Sequence, residues 1–339
     1  FMAIVMVFTY MPSSRGVETA WADTADVTEI STDTEFYAMV ADRSYKLTAD
    51  ITINASYDKE FSGTFDGNGH TVTLAIKSTD ANAGLFSTLA GEATVKNITT
   101  TGSVNGSSNV GAIAGKVDSD GDAITIEKCK NKADITGTKC VGGILGYGYT
   151  NNVHILKCAN TGDITASSKQ GGGIAGNIEG TFTVEDCYNK GTISDKNSVA
   201  GILGRGANGV SVKRCYSIGS TGNSGFAIIG IASNRNGAVA IEKCYALSGS
   251  AGNFIYSNGI DKDDTSEFKT EDYMQSEDFV SLLGSAFMYK PGDYPALRWE
   301  TPTASVNFDI TPANAQLTIT KTDAEEGSVV YTGTGGTIA

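Results

Sequence analysis

Tyr188, Tyr216 and Tyr245 each stand one position after a cysteine of a recurring phrase. Aromatics repeated at that spacing could stack against sugar rings. If the cysteines face inward, strand alternation turns these tyrosines outward. Three rings on neighbouring coils would form a platform. The competing role for such a column is cross-coil packing that stiffens a sheet. Tyr147 and Tyr149 supply aromatics at a second corner.

The carboxylates are the next candidates. Glycoside hydrolysis needs two carboxyl groups flanking one bond. Glu127, Glu185 and Glu242 hold equivalent repeat positions, but Leu156 and Lys213 interrupt them, which fits a solvated face. Asp118, Asp120 and Asp122 fall in one acidic turn and would be the oxygen ligands of a calcium ion. The turn lacks the remaining loop positions and the terminal bidentate Glu. Asp261–Asp264 reads as a loop. The two histidines, His70 and His154, are far apart in repeat order, and neither has a nucleophile in register. No phosphate loop, dinucleotide fingerprint or zinc spacing occurs. No catalytic residue and no cofactor are assigned, calcium at the acidic turn being the alternative.

These residues are positioned by a repeat. Cys129, Cys158, Cys187, Cys215 and Cys244 follow at steps of 29, 29, 28 and 29 residues, each in a phrase close to V-x-I-x-x-C-x-N-x-G-x-I. A fixed period of this size indicates a solenoid whose coils cover one another. Cysteines at one repeat position stack in one column about 4.8 Å apart. They point the same way, which suits packing better than bridging. Ile98 occupies the same position in an earlier coil and could not be half of a disulfide. Disulfides between adjacent coils are the alternative, and Cys140 lies off the column.

A second signature falls between the cysteine phrases: VGAIAG at 110–115, VGGILG at 141–146, GGGIAG at 171–176 and VAGILG at 199–204. Ile113, Ile144, Ile174 and Ile202 should stack inward, and the glycines let coils approach closely. Val95, Ile126, Ile155, Val184, Val212 and Ile241 make another apolar column. Asn131, Asn160 and Asn189, two residues after their cysteines, should hydrogen-bond from coil to coil. Seven to eight coils would give a rod of roughly 35 Å.

The flanks differ. Residues 1–22 carry an apolar run followed by Ala20-Trp21-Ala22, the pattern of a secretory leader and its cleavage site. Thr32 and Glu35 fit a capping box that opens a short helix over 32–41, the entry cap. Residues 57–60 read as a charged loop. The stretch 260–299 breaks the repeat and has helical spacing at Tyr273, Phe279, Val280, Leu282 and Leu283, which suggests the far cap. Residues 300–339 alternate apolar and polar side chains, as at the start of a β-sandwich module.

With 41 Gly, 5 Pro and 19% charged residues, the chain has a strand-and-turn composition. A net charge of −13 argues against nucleic-acid binding and against docking on anionic lipid. No segment after the leader is apolar enough to span a membrane.

Together, VGGILG, GGGIAG and VAGILG, the opening FSGTFDGNGHTV, the NAGLFSTL step and the closing YPALRW resemble the GLUG-motif proteins of bacterial surfaces and secretions over about residues 30–299. The resemblance implies a right-handed parallel β-helix, similar in shape to the pectin-lyase-like group. It implies export and cell-surface attachment, and it brings no catalytic residues. The expected organisation is therefore a leader at 1–22, a capped β-helix at 23–299 and a partial sandwich module at 300–339. The expected function is a non-enzymatic structural or adhesive module, with extracellular glycans or host matrix proteins as partners. The alternative is a pectin-lyase-like carbohydrate-active enzyme, a polysaccharide lyase or glycoside hydrolase.

Overall fold

The computed structural model describes residues 27–119, 121–195, 198–233, 239–255 and 260–301, together with strands Met6–Thr9, Val306–Phe308, Gln316–Thr320, Val329–Gly333 and Gly336–Ile338. Two units divide the chain: Thr24–Arg298, and Phe1–Asp23 with Trp299–Ala339. The second unit pairs Met6–Thr9 with Gln316–Thr320, Gln316–Thr320 with Val329–Gly333, and Val306–Phe308 with Gly336–Ile338, all antiparallel. Met6–Thr9 falls in the run expected as a leader; the rest of 1–22 lies outside the described residues.

The first unit is a parallel β-solenoid of about seven turns. One coil runs through Ile124–Asn131, Asp134–Gly142 and Leu145–Tyr149, then climbs to Val153–Leu156. Each strand pairs in parallel with its counterpart one repeat later, so equivalent residues stack: Val95 on Ile126, Ile126 on Ile155, Ile155 on Val184, Val184 on Val212 and Val212 on Ile241. These residues, and the column Ile113, Ile144, Ile174 and Ile202, are buried in one core. Each such side chain contributes about 1.5–3 kcal/mol of burial.

Sharp corners interrupt the strands. Asn97, Lys128, Lys157, Asp186, Arg214 and Lys243, each just before the inward cysteine or Ile98, take φ between 47° and 55°. A left-handed non-glycine residue costs on the order of 1 kcal/mol. Backbone bonds to the next coil offset it, as in Lys157 N to Glu185 O at 2.9 Å and Arg214 N to Glu242 O at 2.9 Å. A second left-handed column, Asn82, Asn109, Cys140, Gln170 and Ser198, precedes the glycine-rich turns.

Inside the cysteine corner runs a buried amide ladder. Asn131 Nδ2 donates to Asn160 Oδ1 at 2.7 Å, and Asn160 Nδ2 donates to Asn189 Oδ1 at 2.7 Å. Thr100 Oγ1 closes one end, donating to Asn131 at 2.8 Å. The same amides reach the carbonyls of Ala133, Gly162 and Gly191, so each satisfies its own turn and its neighbour.

All six cysteines are free thiols, which removes the disulfide alternative. The five column thiols are buried and sit 3.2–3.6 Å from carbonyl oxygens of their own and the preceding coil. Burial pushes Cys158, Cys187, Cys215 and Cys244 well above the ordinary thiol pKa, which keeps them protonated. Alkylation follows the thiolate. Native protein at neutral pH should therefore leave these cysteines unlabelled by iodoacetamide, with labelling appearing only on unfolding. Mass spectrometry reads this directly; rapid native labelling at Cys187 would contradict the packing.

Helix Asp33–Tyr37 caps the first coil through the Thr32–Glu35 capping box and the buried Phe36, whose ring meets Tyr57, Phe65 and Phe86 at 5.8–5.9 Å. It is shorter than the expected 32–41. The stretch expected as a charged loop instead forms strand Tyr57–Phe61, because buried Tyr57 and Phe61 anchor its ends.

Helices Glu271–Met274 and Glu277–Leu283, then the antiparallel pair Phe287–Met288 and Ala296–Leu297, form the far cap. This cap corrects the reading of the tyrosine column. Tyr188, Tyr216 and Tyr245 do stack in register, but they are 2%, 0% and 1% exposed. Their outward side meets the cap: Phe279 contacts Tyr216 and Tyr245, and Phe287 contacts Tyr216. Lys190 ties the edge down, pairing with Asp293 at 3.3 Å and lying over the rings of Tyr188 and Tyr294. Outward from the coil is here inward to the cap, so these rings offer no open platform.

Candidate ligand-binding face

A different face of the solenoid carries exposed polar chemistry. It is built from strands Tyr57–Phe61, Phe86–Ala90, Ala114–Asp118, Leu145–Tyr149, Ala175–Glu179 and Leu203–Ala207. Parallel pairing aligns Glu60, Thr88, Lys116, Tyr147, Asn177 and Arg205 in one row. Alternation sets the core residues Leu89, Val117 and Ile178, one position farther along their strands, against this row. Two positions farther along the strands, Tyr149 aligns with Glu179 and Ala207.

Tyr149 is 63% exposed, the most exposed aromatic among the described residues. It borders a groove of about 320 Å³ shared with Thr150, Asn151, Glu179, Thr181 and Asn208. The corners of three coils form this groove. Gly180 makes the close approach possible, since at its φ of 119° a Cβ would sit 1.9 Å from Thr150 O. The polar groups are fixed in place. Glu179 accepts from Arg205 at 2.7 Å and from Asn208 Nδ2 at 2.7 Å, and Arg205 also donates to Asn177 at 3.2 Å. Asn151 Oδ1 accepts from the backbone and hydroxyl of Thr181 at 3.1 and 3.2 Å. An exposed ring beside oriented acceptors and amides can stack on a sugar and hydrogen-bond its hydroxyls. Tyr147 lies half-buried beside this groove, and burial raises the pKa of its phenol.

The other predicted positions are placed differently. Exposed Asp118 forms an ion pair with Lys116, and Asp122 is exposed. Asp120 lies outside the described residues. Among the described residues no three His, Cys, Asp or Glu side chains are grouped to hold a metal ion. Glu127 pairs with Lys157 at 3.4 Å, Glu185 with Arg214, and Glu242 with Lys213 at 3.3 Å. This column therefore binds coil to coil through ion pairs. His70 sits 3.1 Å from Asp50, and His154 sits 3.2 Å from Asn152. No helix among the described residues is long and apolar enough to cross a membrane.

No family model matches the chain. A segment is 34% identical over 132 residues to halomucin from Haloquadratum walsbyi (strain DSM 16790 / HBSQ001), a match covering 32% of this chain and 1% of that protein's length. Among solved structures, a putative immunoglobulin A1 protease from Bacteroides ovatus aligns with a TM-score of 0.58 at 19% identity, covering 80% of this chain and 92% of that one. At that identity the likeness concerns the fold.

Proposed function

We propose that this chain is a non-enzymatic, glycan-binding solenoid module of an exported or surface protein, and that it binds through the face carrying Tyr149. The carrying observation is the exposed Tyr149 ring beside the anchored Glu179, Asn208 and Thr181. The partial similarity to halomucin and the β-solenoid fold support a surface or secreted setting. Glu179 is the one carboxylate bordering the groove and is engaged by Arg205, an arrangement suited to holding hydroxyls. Hydrolysis would call for a second carboxyl group across the bond.

The test is a glycan array probed with the full chain, followed by affinity measurement on the best neutral glycan. Tyr149→Ala should weaken that binding about tenfold, as for an aromatic contact worth roughly 1.4 kcal/mol. The exposed site should leave the thermal midpoint nearly unchanged. Undiminished binding by Tyr149→Ala, or cleaved glycan recovered from the array, would overturn the reading.

A further inference from the structure

We propose that the same face holds a second subsite, near its first strands, for a positively charged amino sugar. This proposal rests on the glycan-binding reading of the face and names a ligand chemistry for its other end. A groove of about 580 Å³ opens between strand Tyr57–Phe61, the end of strand Thr71–Lys77 with its following loop, and strand Phe86–Ala90. Asp58, Glu60 and Asp80 line it, and all three are exposed. Their carboxylates make no ion pair or hydrogen bond with any described residue. Elsewhere on the solenoid Glu127, Glu179, Glu185, Asp186 and Glu242 are each paired with a cation. Lys77 is the one cation in the groove wall, which leaves negative charge in excess. Neighbouring unpaired carboxylates repel one another, and a bound cation removes that cost.

A second observation points to a ligand that also carries hydroxyls. Thr88 lines the groove at 8% exposure, and its side-chain hydroxyl has no hydrogen-bond partner among the described residues. A buried hydroxyl without a partner has lost its water and gained nothing in exchange. A ligand donor or acceptor reaching into the groove would satisfy it. Ser87 and Asn82 add polar groups to the same wall. A bare metal ion does not fit, since no three carboxylates among the described residues converge on one point. An ammonium group on a polyhydroxylated ring answers both features.

The experiment is calorimetry on the full chain at about 0.15 M salt, where exposed long-range attraction is screened beyond roughly 8 Å. The probes are a glucosamine tetramer, an N-acetylglucosamine tetramer and spermine. The glucosamine tetramer should bind at least tenfold more tightly than either of the others. Combining Asp58→Asn, Glu60→Gln and Asp80→Asn should weaken it at least tenfold. Thr88→Val should weaken it several-fold, and Thr88→Ser should restore it. Loss of neutral-glycan binding is read in Tyr149→Ala and loss of this subsite in the triple amide variant, so the two readings fail separately. Equal binding of the N-acetylated tetramer would overturn the proposal by removing the role of charge. Equal binding of spermine would overturn it by removing the role of the ring hydroxyls. Full affinity in the triple amide variant would overturn it as well.

Discussion

Tyr216→Ala should destabilise the solenoid by about 3–5 kcal/mol, the range for truncating a buried aromatic. The ring is stacked on Tyr188 at 5.1 Å with planes 10° apart, and Phe279 meets its edge at 5.8 Å. Its hydroxyl donates to the carbonyl of Pro295, so truncation also leaves a cap carbonyl without that donor. Urea unfolding should show the loss as an early transition, because coils bordering a weakened contact open before the rest. Tyr216→Phe keeps the ring and should cost only about 1 kcal/mol. If Tyr216→Ala costs less than about 1 kcal/mol, the cap is not held by this column. The same variant separates packing from recognition: glycan affinity at the Tyr149 groove should be unaffected under conditions where the solenoid stays folded.

Gly173→Ala should be comparably severe for a different reason. A Cβ there would lie 2.2 Å from Gly201 O and 2.4 Å from Asn189 Cγ. The first atom belongs to the backbone of the next coil and the second to the buried amide ladder, so neither can yield without moving a coil. Overpacking of this kind costs about 1–3 kcal/mol. Breaking the ladder adds a buried amide without its partner, another 1–3 kcal/mol. Gly206→Ala is the control: its Cβ would meet Leu203 Cδ1 at 3.6 Å and Val210 Cγ1 at 3.7 Å, ordinary contacts inside the core. That variant should melt within a few degrees of the parent, while Gly173→Ala falls well below. Equal melting temperatures for the two would refute the close coil approach.

The contrast between these glycines shows what the repeat makes legible. A solenoid writes each core position several times over, so Ile126, Cys158 and Asn189 identify their columns by recurrence alone. The glycine hexamers likewise mark where coils approach. The capping box at Thr32 and Glu35 was readable because its chemistry is local. Long-range covering is written nowhere in the repeat. Alternation correctly turns Tyr216 away from the cysteines, but Phe279 and Phe287, which bury it, lie more than sixty residues downstream. The left-handed corners were half concealed: Asn97 and Asn109 are residue types that tolerate that conformation, while Lys128, Lys157 and Arg214 are not. Tyr149 became a candidate over its neighbours only once register set it beside Glu179 and Asn208. The groove at Asp58, Glu60 and Asp80 was obscured because the first two lay in what reads as a loop.

The most direct test of the account is hydroxyl-radical footprinting of the full chain, with and without its best neutral glycan, read by mass spectrometry. Tyr149 should be heavily modified in the free protein and protected on binding. Tyr188, Tyr216 and Tyr245 should stay unmodified in both samples, since the cap covers them. A glycan that binds yet leaves Tyr149 as reactive as before would contradict the account, and so would protection appearing at Tyr188, Tyr216 or Tyr245.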